Sequence, residues 1–450
     1  MNKKMLIGAL SLIVSTSTFA GGLLTNTNQN ATFLRNPARD AVIAIDGVYS
    51  NPAGIAFMPQ GFHFSLSWQA AWQKREITST MPFYALNGTN LGTDTKEFVG
   101  EAKAPVIPSF QAAYVFNDKW SVSAQFAIGG GGGKCEFDEG LPMFEKLVYS
   151  QLANGVGSKI PGASIAKYSF DQNLTGEQYF YALQVGGTYK VTDLVSVFGG
   201  VRGVLANCSY TGAIRNISGD VKLPEAMGGI VAPGQATSPD FVLDCSQSGF
   251  GITPIIGVDV NLGNLNLAAK YEFRTKIELE NDANNNDPLI ALAQQNPAFE
   301  SYLDKKKVRS DIPALLTVGA QYSILPSLRV NGGYHLYFDK DAQGSATAVS
   351  DNTWEASLGA EWDIDEKWLV SFGVQRTQYG FDDADMVDTN FNISNTSLGI
   401  GGAYQINKML KLNVGYYHTF YEDHEVKTAI GSDIYTRKND VVGVSLDFKF

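Results

Sequence analysis

The sequence has no apolar run long enough to form a transmembrane helix. Beyond residue 20 no segment holds the ~18 consecutive apolar residues that a helix needs to cross a bilayer. Backbone groups in lipid must be paired within the protein, so only a closed β-barrel remains if this chain spans a membrane. The absence of such runs therefore excludes a helical membrane protein.

Histidine is scarce, which limits the enzymes that the chain can be. None of the four histidines lies in a Gly-x-Ser-x-Gly context or another recognisable nucleophile motif. The acidic segment from Asp382 to Asp388 fails as a calcium loop, because Asp388 and Ser394 stand where glycine and glutamate are required. We therefore predict no enzyme, no metal site and no cofactor.

Basic residues are also in short supply. The chain has 34 Lys and Arg against 45 Asp and Glu, a formal net charge of −11. This balance argues against a nucleic-acid partner and against a polybasic membrane anchor.

The first twenty residues read as an export signal peptide, removed after Ala20. Lys3 and Lys4 precede an apolar run, and small residues follow it. The three cysteines thus enter an oxidising compartment. Cys208 and Cys245 fall near the ends of consecutive predicted strands, so a bridge between them is one interpretation and buried free thiols are the other. Cys135 stays unexplained.

Alternation of apolar and polar residues predicts the fold. It is clearest in the last ten residues, which we interpret as the closing strand of a barrel. Fourteen such segments occur, at 61–78, 105–116, 120–130, 178–191, 194–212, 241–260, 264–279, 308–324, 327–340, 352–364, 367–381, 392–406, 409–424 and 435–450.

Connection lengths give the direction of these strands. Six tight turns join them in pairs and alternate with longer loops, the pattern of outer-membrane barrels with both termini in the periplasm. The predicted fold class is all-β: a 14-stranded antiparallel transmembrane barrel over residues 60–450. A soluble secreted β-protein is the alternative.

Residues 21–59 do not alternate, and they carry a motif. Asn36 and Pro37 suggest a short helix through 39–45 that stops at Asp46. Asp46, Asn51, Pro52, Ala53 and Gly54 then precede the first strand. This arrangement resembles the FadL-type outer-membrane transporters of long-chain fatty acids and aromatic hydrocarbons.

The resemblance implies several properties. In that family an N-terminal plug, or hatch, blocks a fourteen-stranded barrel, and the motif belongs to the hatch. It implies a monomer in the outer membrane of a Gram-negative bacterium that passes long-chain fatty acids or other hydrophobic small molecules toward the membrane lipids.

A glycine run marks a candidate lateral gate. Gly129, Gly130, Gly131, Gly132 and Gly133 end the third predicted strand, and two prolines lie in the second. In the FadL family a kink in the third strand opens the wall and releases ligand into the bilayer. A flexible lead into the long loop is the alternative.

Lumen-facing cations are candidate anchors for a fatty carboxylate. They occupy the polar phase of their strands and are Arg202, Lys270, Arg274 and Arg329. Pairing with neighbouring lumen acids is the competing interpretation for each one, and Glu272 between Lys270 and Arg274 favours it.

The loop at 131–177 contains a candidate hydrophobic site. Apolar residues at roughly helical spacing are Leu141, Phe144, Leu147, Val148 and Leu152. An exposed helix here would receive hydrophobic substrate, whereas a helix packed against neighbouring loops would not.

Together these features predict passive transport of hydrophobic compounds, with long-chain fatty acids first among them. A polar-solute porin and a barrel-anchored surface receptor or adhesin are the rivals.

Overall fold

The computed structural model describes residues 25, 30–295, 297–342, 344 and 350–450. The predicted signal peptide, residues 1–20, lies outside the described residues. Eighteen β-strands form one antiparallel sheet. In chain order they are β1 Gly61–Thr80, β2 Thr95–Val115, β3 Trp120–Phe137, β4 Ser164–Lys190, β5 Val195–Lys222, β6 Val231–Thr237, β7 Phe241–Asn261, β8 Leu265–Glu272, β9 Glu278–Ala283, β10 Lys307–Arg309, β11 Leu315–Leu325, β12 Leu328–Tyr337, β13 Trp354–Asp363, β14 Trp368–Gln378, β15 Asn395–Asn407, β16 Leu410–Tyr421, β17 His424–Lys427 and β18 Ser432–Lys449.

The eighteen strands form a closed wall with fourteen strand positions, because several of them continue one another. β8 and β9 continue one another along β7, β10 and β11 continue one another along β9 and β8, and β16 and β17 continue one another along β18. β6 is a short strand that pairs only with β5. β1 pairs with β18 over eighteen residues from His63 to Thr80, which closes the barrel. The predicted 14-stranded antiparallel barrel is confirmed.

The wall has short turns at one end and long loops at the other. The short turns follow β2, β4, β7, β11, β13 and β15, as predicted. The long-loop end is the taller one, because β4 and β5 run for 27 and 28 residues. A tilted strand needs only about 9–11 residues to cross a bilayer, so these two strands extend well beyond it.

Alternation places one face of each strand outward. On β1 the predicted outward residues Phe62, Leu66 and Trp68 are exposed, whereas Ser65 and Ser67 are buried inside. Aromatic rings beside the short turns, such as Trp120 and Trp368, are exposed as well. Among the described residues, no helix has the length and apolarity required to cross a membrane.

Five α-helices and five 3-10 helices complete the described chain. The α-helices are α1 Ala31–Arg35, α2 Gly47–Ser50, α3 Pro142–Lys159, α4 Asp287–Gln295 and α5 Pro297–Glu300. The 3-10 helices are η1 Pro52–Phe57, η2 Pro82–Leu86, η3 Glu225–Met227, η4 Asp339–Asp341 and η5 Asp383–Asp385.

The predicted helix through 39–45 is wrong. Helix α1 comes earlier, and Asn30 caps it by accepting a hydrogen bond from the Thr32 amide. Asn36 ends α1 instead of starting a helix, and its side chain accepts a bond from the Ala38 amide. The 36–46 stretch stays irregular because its long polar side chains bond to each other and to the wall.

Of the two interpretations of Cys208 and Cys245, the structure has the free thiols and not the bridge, and Cys135 is a free thiol as well. Cys208 lies opposite Gln247, and Cys245 lies opposite Tyr210. The two cysteines are therefore diagonal neighbours on β5 and β7. Diagonal neighbours stand about 7–8 Å apart, beyond the usual span of a disulfide.

Candidate functional site: a filled lumen and an interrupted wall

Residues 30–58, the N-terminal segment, contact the barrel around most of its circumference. Side chains from nine strands bond to it: Ser65 and Ser67 on β1, Gln111 on β2, Gln184 and Thr188 on β4, Ser196 on β5, Asp259 on β7, Asn266 and Lys270 on β8, His335 on β12, Glu361 on β13 and Ser371 on β14. The segment is therefore bonded to the wall on many sides.

A buried ionic cluster fastens the first part of the segment. Glu361 on β13 accepts hydrogen bonds from Arg35 at 2.7 Å and from Arg39 at 2.8 Å. Arg39 also binds both carboxylate oxygens of Asp46, at 2.7 and 2.9 Å. Burial by itself would raise the pKa of the Asp46 carboxyl, but the Arg39 charge outweighs it and holds that pKa below its ordinary value. The cluster thus stays ionised and joins three parts of the chain.

The Asn-Pro-Ala-Gly stretch fastens the second part. The Asn51 side chain accepts the Gly54 amide at 3.2 Å and donates to Asp259 on β7 at 2.5 Å. The carbonyl groups of Pro52 and Ala53 accept hydrogen bonds from wall hydroxyl groups. A methyl group at Gly54 would stand only 2.4 Å from Asn51 Nδ2. The motif therefore forms a turn that is hydrogen-bonded to β4, β5 and β7.

A third contact passes through a histidine. His335 Nε2 lies 3.0 Å from Asp40 of the segment, and its Nδ1 lies 3.0 Å from Glu355 on β13. Tyr337 donates to the same Glu355 oxygen at 2.6 Å. No sequence motif marks this histidine. Its place in the inward phase of a strand was the only available signal.

The wall is interrupted between β2 and β3. Their pairing stops after Ala102–Cys135 and resumes at Ser109–Ala127, so residues 103–108 and 128–134 do not pair with each other. The gap measures roughly 20 Å along the strand at about 3.3 Å per residue. The sequence predicts the glycine run at the outer end of β3, and this is wrong. The run lies within β3, because pairing with β4 carries the strand on to Phe137.

Glycine is required in this gap. Gly131 and Gly133 have φ of 99° and 68°, in the left-handed region that side chains disfavour. A methyl group at Gly131 would also stand 2.3 Å from the Gln178 carbonyl oxygen. Two prolines on β2 lack the N–H donors that would close the gap from the other side.

An inner pocket lies beside the interruption. Its cavity volume is about 10 Å³. Its lining combines apolar and charged side chains: Gly129, Phe180, Ala182, Arg202, Val204, Thr253, Glu272, Thr275, Ile312 and Pro313. Because Gly129 belongs both to this lining and to the unpaired part of β3, the pocket adjoins the gap.

An outer pocket with a cavity volume of about 40 Å³ lies toward the long loops. Its lining is almost wholly apolar: Met143, Phe144, Leu147, Leu174, Tyr210, Gly212, Ala213, Ile214, Phe241, Leu243, Leu289, Phe299, Tyr302 and Thr389. It lies within a buried cluster that we call the outer apolar cluster, whose members include Ile77, Phe144, Val148, Leu152, Leu289, Phe299 and Tyr435.

Packed apolar side chains, which we call the apolar column, lie between the two pockets. Its members are Phe180, Val204, Ala206, Cys208, Tyr210, Ile277, Leu279, Ile312, Leu315 and Tyr337. Tyr210 also lines the outer pocket, and Phe180, Val204 and Ile312 also line the inner pocket. Val204 to Tyr210 spans about 20 Å of β5. Cys208 belongs to this column.

The predicted loop helix is present as α3, but it is packed and not exposed. Leu141, Val148 and Leu152 are no more than 1% exposed, and Phe144 is 6% exposed. Buried ion pairs hold α3 in place: Lys146 with Asp433 at 2.5 Å, and Glu145 with Lys96 at 3.1 Å. Phe144 and Leu147 nevertheless line the outer pocket, so the helix forms one of its walls.

Each candidate carboxylate anchor already has an acidic partner. Arg202 binds Glu272 at 2.5 Å, and Lys270 binds the same carboxylate at 2.7 Å. The other two pair with aspartates: Arg329 with Asp363 at 2.5 Å and Arg274 with Asp311 at 3.7 Å. The competing interpretation, pairing among lumen charges, therefore describes all four.

The described residues form a closed barrel whose wall is interrupted beside a pocket, with an N-terminal segment bonded to nine strands. The fold is that of the FadL-type outer-membrane transporters, which confirms the resemblance drawn from the sequence.

Known structures agree with this assignment. A Pseudomonas aeruginosa FadL homologue is 15% identical, with 96% of this chain and 100% of that chain covered and a TM-score of 0.68. The Pseudomonas putida toluene transporter TodX is 15% identical, with 92% and 96% covered and a TM-score of 0.59. The Ralstonia pickettii toluene transporter TbuX is 16% identical, with 92% and 98% covered and a TM-score of 0.56.

Sequence comparisons reach less of the chain. The family described as the putative MetA pathway of phenol degradation matches residues 314–431. No curated protein sequence matches the chain.

Proposed function

We propose that this protein is a monomeric outer-membrane channel for passive uptake of hydrophobic small molecules, with long-chain fatty acids as the first candidate substrate. In this proposal residues 1–20 are a removed signal peptide, residues 21–59 a plug, and residues 60–450 the barrel. Both termini lie in the periplasm of a Gram-negative bacterium.

The observation that carries the proposal is the gap between β2 and β3 beside the inner pocket. A channel for polar solutes needs an unbroken wall, since an opening toward lipid does not serve a solute that stays in water. A receptor that only anchors its loops has no use for such an opening either. A hydrophobic substrate, in contrast, gains free energy by leaving sideways into the bilayer.

The route follows from the apolar surfaces. Substrate first enters the outer pocket beside α3, moves along the apolar column of β5, and reaches the inner pocket. There the N-terminal segment blocks the way to the periplasm, and the glycine-bordered gap offers release into lipid. No step requires an energy source, because each transfer runs between apolar environments.

Uptake in whole cells tests the proposal. The protein is expressed in cells that lack their own fatty-acid transporter, and uptake of labelled oleate is compared with uptake of a small sugar. Oleate uptake without sugar leakage supports the proposal, and sugar leakage alone makes the protein a porin. Uptake of neither compound contradicts the assignment to fatty acids.

Aromatic hydrocarbons are the second candidate substrate, because TodX and TbuX are named as toluene transporters. Labelled toluene therefore forms a third arm of the same experiment. Uptake of toluene without oleate would keep the lateral route and change the substrate.

A further inference from the structure

Two arginines face each other across the seam where the barrel closes. Arg75 on β1 lies directly opposite Arg437 on β18. Both occupy the inward phase of their strands, between the buried residues Ile77 and Tyr435 on the loop side and Val441 on the other. Two like charges therefore stand side by side in the lumen.

Neither arginine has an acidic partner in the part of the chain that the structure describes. Arg75 Nε donates to Gln73 at 2.8 Å, and Arg437 donates to the Phe391 carbonyl oxygen at 3.1 Å. Arg437 Nε is buried and lacks a hydrogen-bond partner among the described atoms. Most N–H groups of the two guanidinium groups thus have no acceptor there. The remaining residues of the sequence include no Asp or Glu.

This pair differs from the other arginines that bond within the lumen. Arg35, Arg39, Arg202 and Arg329 all lie within 3 Å of a carboxylate oxygen. Like charges directly opposite each other on neighbouring strands destabilise a sheet, and a half-buried charge without a partner adds to that cost. An arrangement that disfavours the empty protein is expected where an anion binds.

The surroundings fit the head of an amphiphile. Ile77 and Tyr435, on the loop side of the arginines, belong to the outer apolar cluster, as do Phe144 and Leu289 of the outer pocket. On the other side, Val441 packs against Phe33 and Leu34 of the N-terminal segment. The Arg437 guanidinium also lies 4.9 Å above the Tyr421 ring, which holds it in place. The two guanidinium groups therefore lie between two apolar regions, with Gln73 and Asn439 as the next inward-facing pair on the seam.

We propose that Arg75 and Arg437 bind the carboxylate of a long-chain fatty acid whose alkyl chain lies in the outer apolar cluster. The inference rests on the proposed function, and it specifies an anionic amphiphile as substrate. Two guanidinium groups can each donate to one carboxylate oxygen, a strong and directional form of binding for this head group.

The test compares two ligands with the same alkyl chain. Binding of oleate and of uncharged oleyl alcohol is measured on the purified protein in a neutral detergent. Arg75→Gln and Arg437→Gln should each weaken oleate binding about tenfold, the usual worth of a charge-assisted hydrogen bond. Neither change should alter binding of oleyl alcohol. Arg215→Gln is the matched control, because Arg215 is exposed on β5 and makes the same change of charge.

A measurement on the unmodified chain covers the case in which a variant fails to fold. The Cys135 thiol interacts electrostatically with both arginines. Anionic iodoacetate should therefore modify Cys135 faster, relative to neutral iodoacetamide, than it modifies Cys208, as followed by peptide mass spectrometry. Oleate should slow the reaction at Cys135, and oleyl alcohol should not remove the preference for iodoacetate.

The outcomes separate the two proposals. If the two variants weaken binding of oleate and oleyl alcohol equally, or leave oleate binding unchanged, then Arg75 and Arg437 do not bind the carboxylate. Such a result does not contradict the proposed channel function. An unmodified chain that binds neither ligand, and whose Cys135 shows no oleate protection, contradicts the proposed function itself.

Discussion

Glu361 is the residue whose replacement tests most directly what holds the N-terminal segment. It accepts hydrogen bonds from Arg35 and Arg39, and Arg329 lies 3.8 Å from its other oxygen. Glu361→Gln keeps the shape and removes the charge, so three guanidinium groups then surround a neutral amide. Removing one partner of a buried ion pair costs about 3–5 kcal/mol. The undocked population should therefore rise by roughly a hundredfold to several thousandfold.

Two assays read out this release. In planar bilayers the Glu361→Gln barrel should show openings with ion conductance that the unmodified protein lacks. Trypsin should also cut after Arg35 and Arg39, which are 2% and 3% exposed while docked. Glu280→Gln is the matched control, because Glu280 is exposed on β9. Unchanged conductance together with full protection from trypsin would refute the idea that this cluster holds the segment.

Three further predictions concern the wall and the loops. Gly131→Ala forces β3 toward regular pairing and should reduce oleate uptake severalfold. Gly199→Ala is the control, because its added methyl group meets open space and should leave uptake unchanged. Equal uptake by both variants would contradict a gate at the glycine run. Burial raises the pKa of Asp339 from 3.8 to about 6. The folded loop then binds a proton more tightly than the unfolded one, so its stability should fall as the pH rises from below 4 to above 6, by at most about 3 kcal/mol. Hydrogen exchange at residues 338–342 measures this, and Asp339→Asn should abolish the dependence. Phe144→Asp puts a charge into the outer pocket and should weaken binding of oleate and of oleyl alcohol alike. A selective loss of oleate binding would contradict the proposal that this pocket receives the alkyl chain.

The strands could be predicted because their signal is local. Alternation depends on each residue and its neighbours two positions away, and tight turns such as Asn117–Lys119 are contained in a few residues. For that reason the count of fourteen strands and the facing of β1 agree with the structure. The sequence predicts that β3 ends at residue 130, whereas the strand runs to Phe137. The difference arises because pairing with β4 continues through a glycine run that has no side chains to alternate.

The charged sites could not be predicted in this way. Alternation shows that Arg202 and Arg75 both face inward, but not that Glu272 neutralises the first and that Arg437 opposes the second. The Arg75–Arg437 contact joins the two ends of the barrel, so it exists only through closure. The irregular path of residues 36–46 depends on partners such as Glu361 that lie hundreds of residues away.

Bonds from nine strands to the N-terminal segment have a consequence for assembly. Several wall side chains, among them Glu361 and Asp259, bond to the segment in addition to their neighbours in the wall. A barrel that closed around an empty lumen would lack these bonds, and a segment that arrived later would have to pass a finished ring. The segment is therefore expected to act as a core around which the strands are gathered before β1 meets β18. A barrel built without the segment should fold slowly or into a wider ring. Deleting the segment therefore tests assembly of the barrel, whereas Glu361→Gln tests release of the segment from a finished barrel.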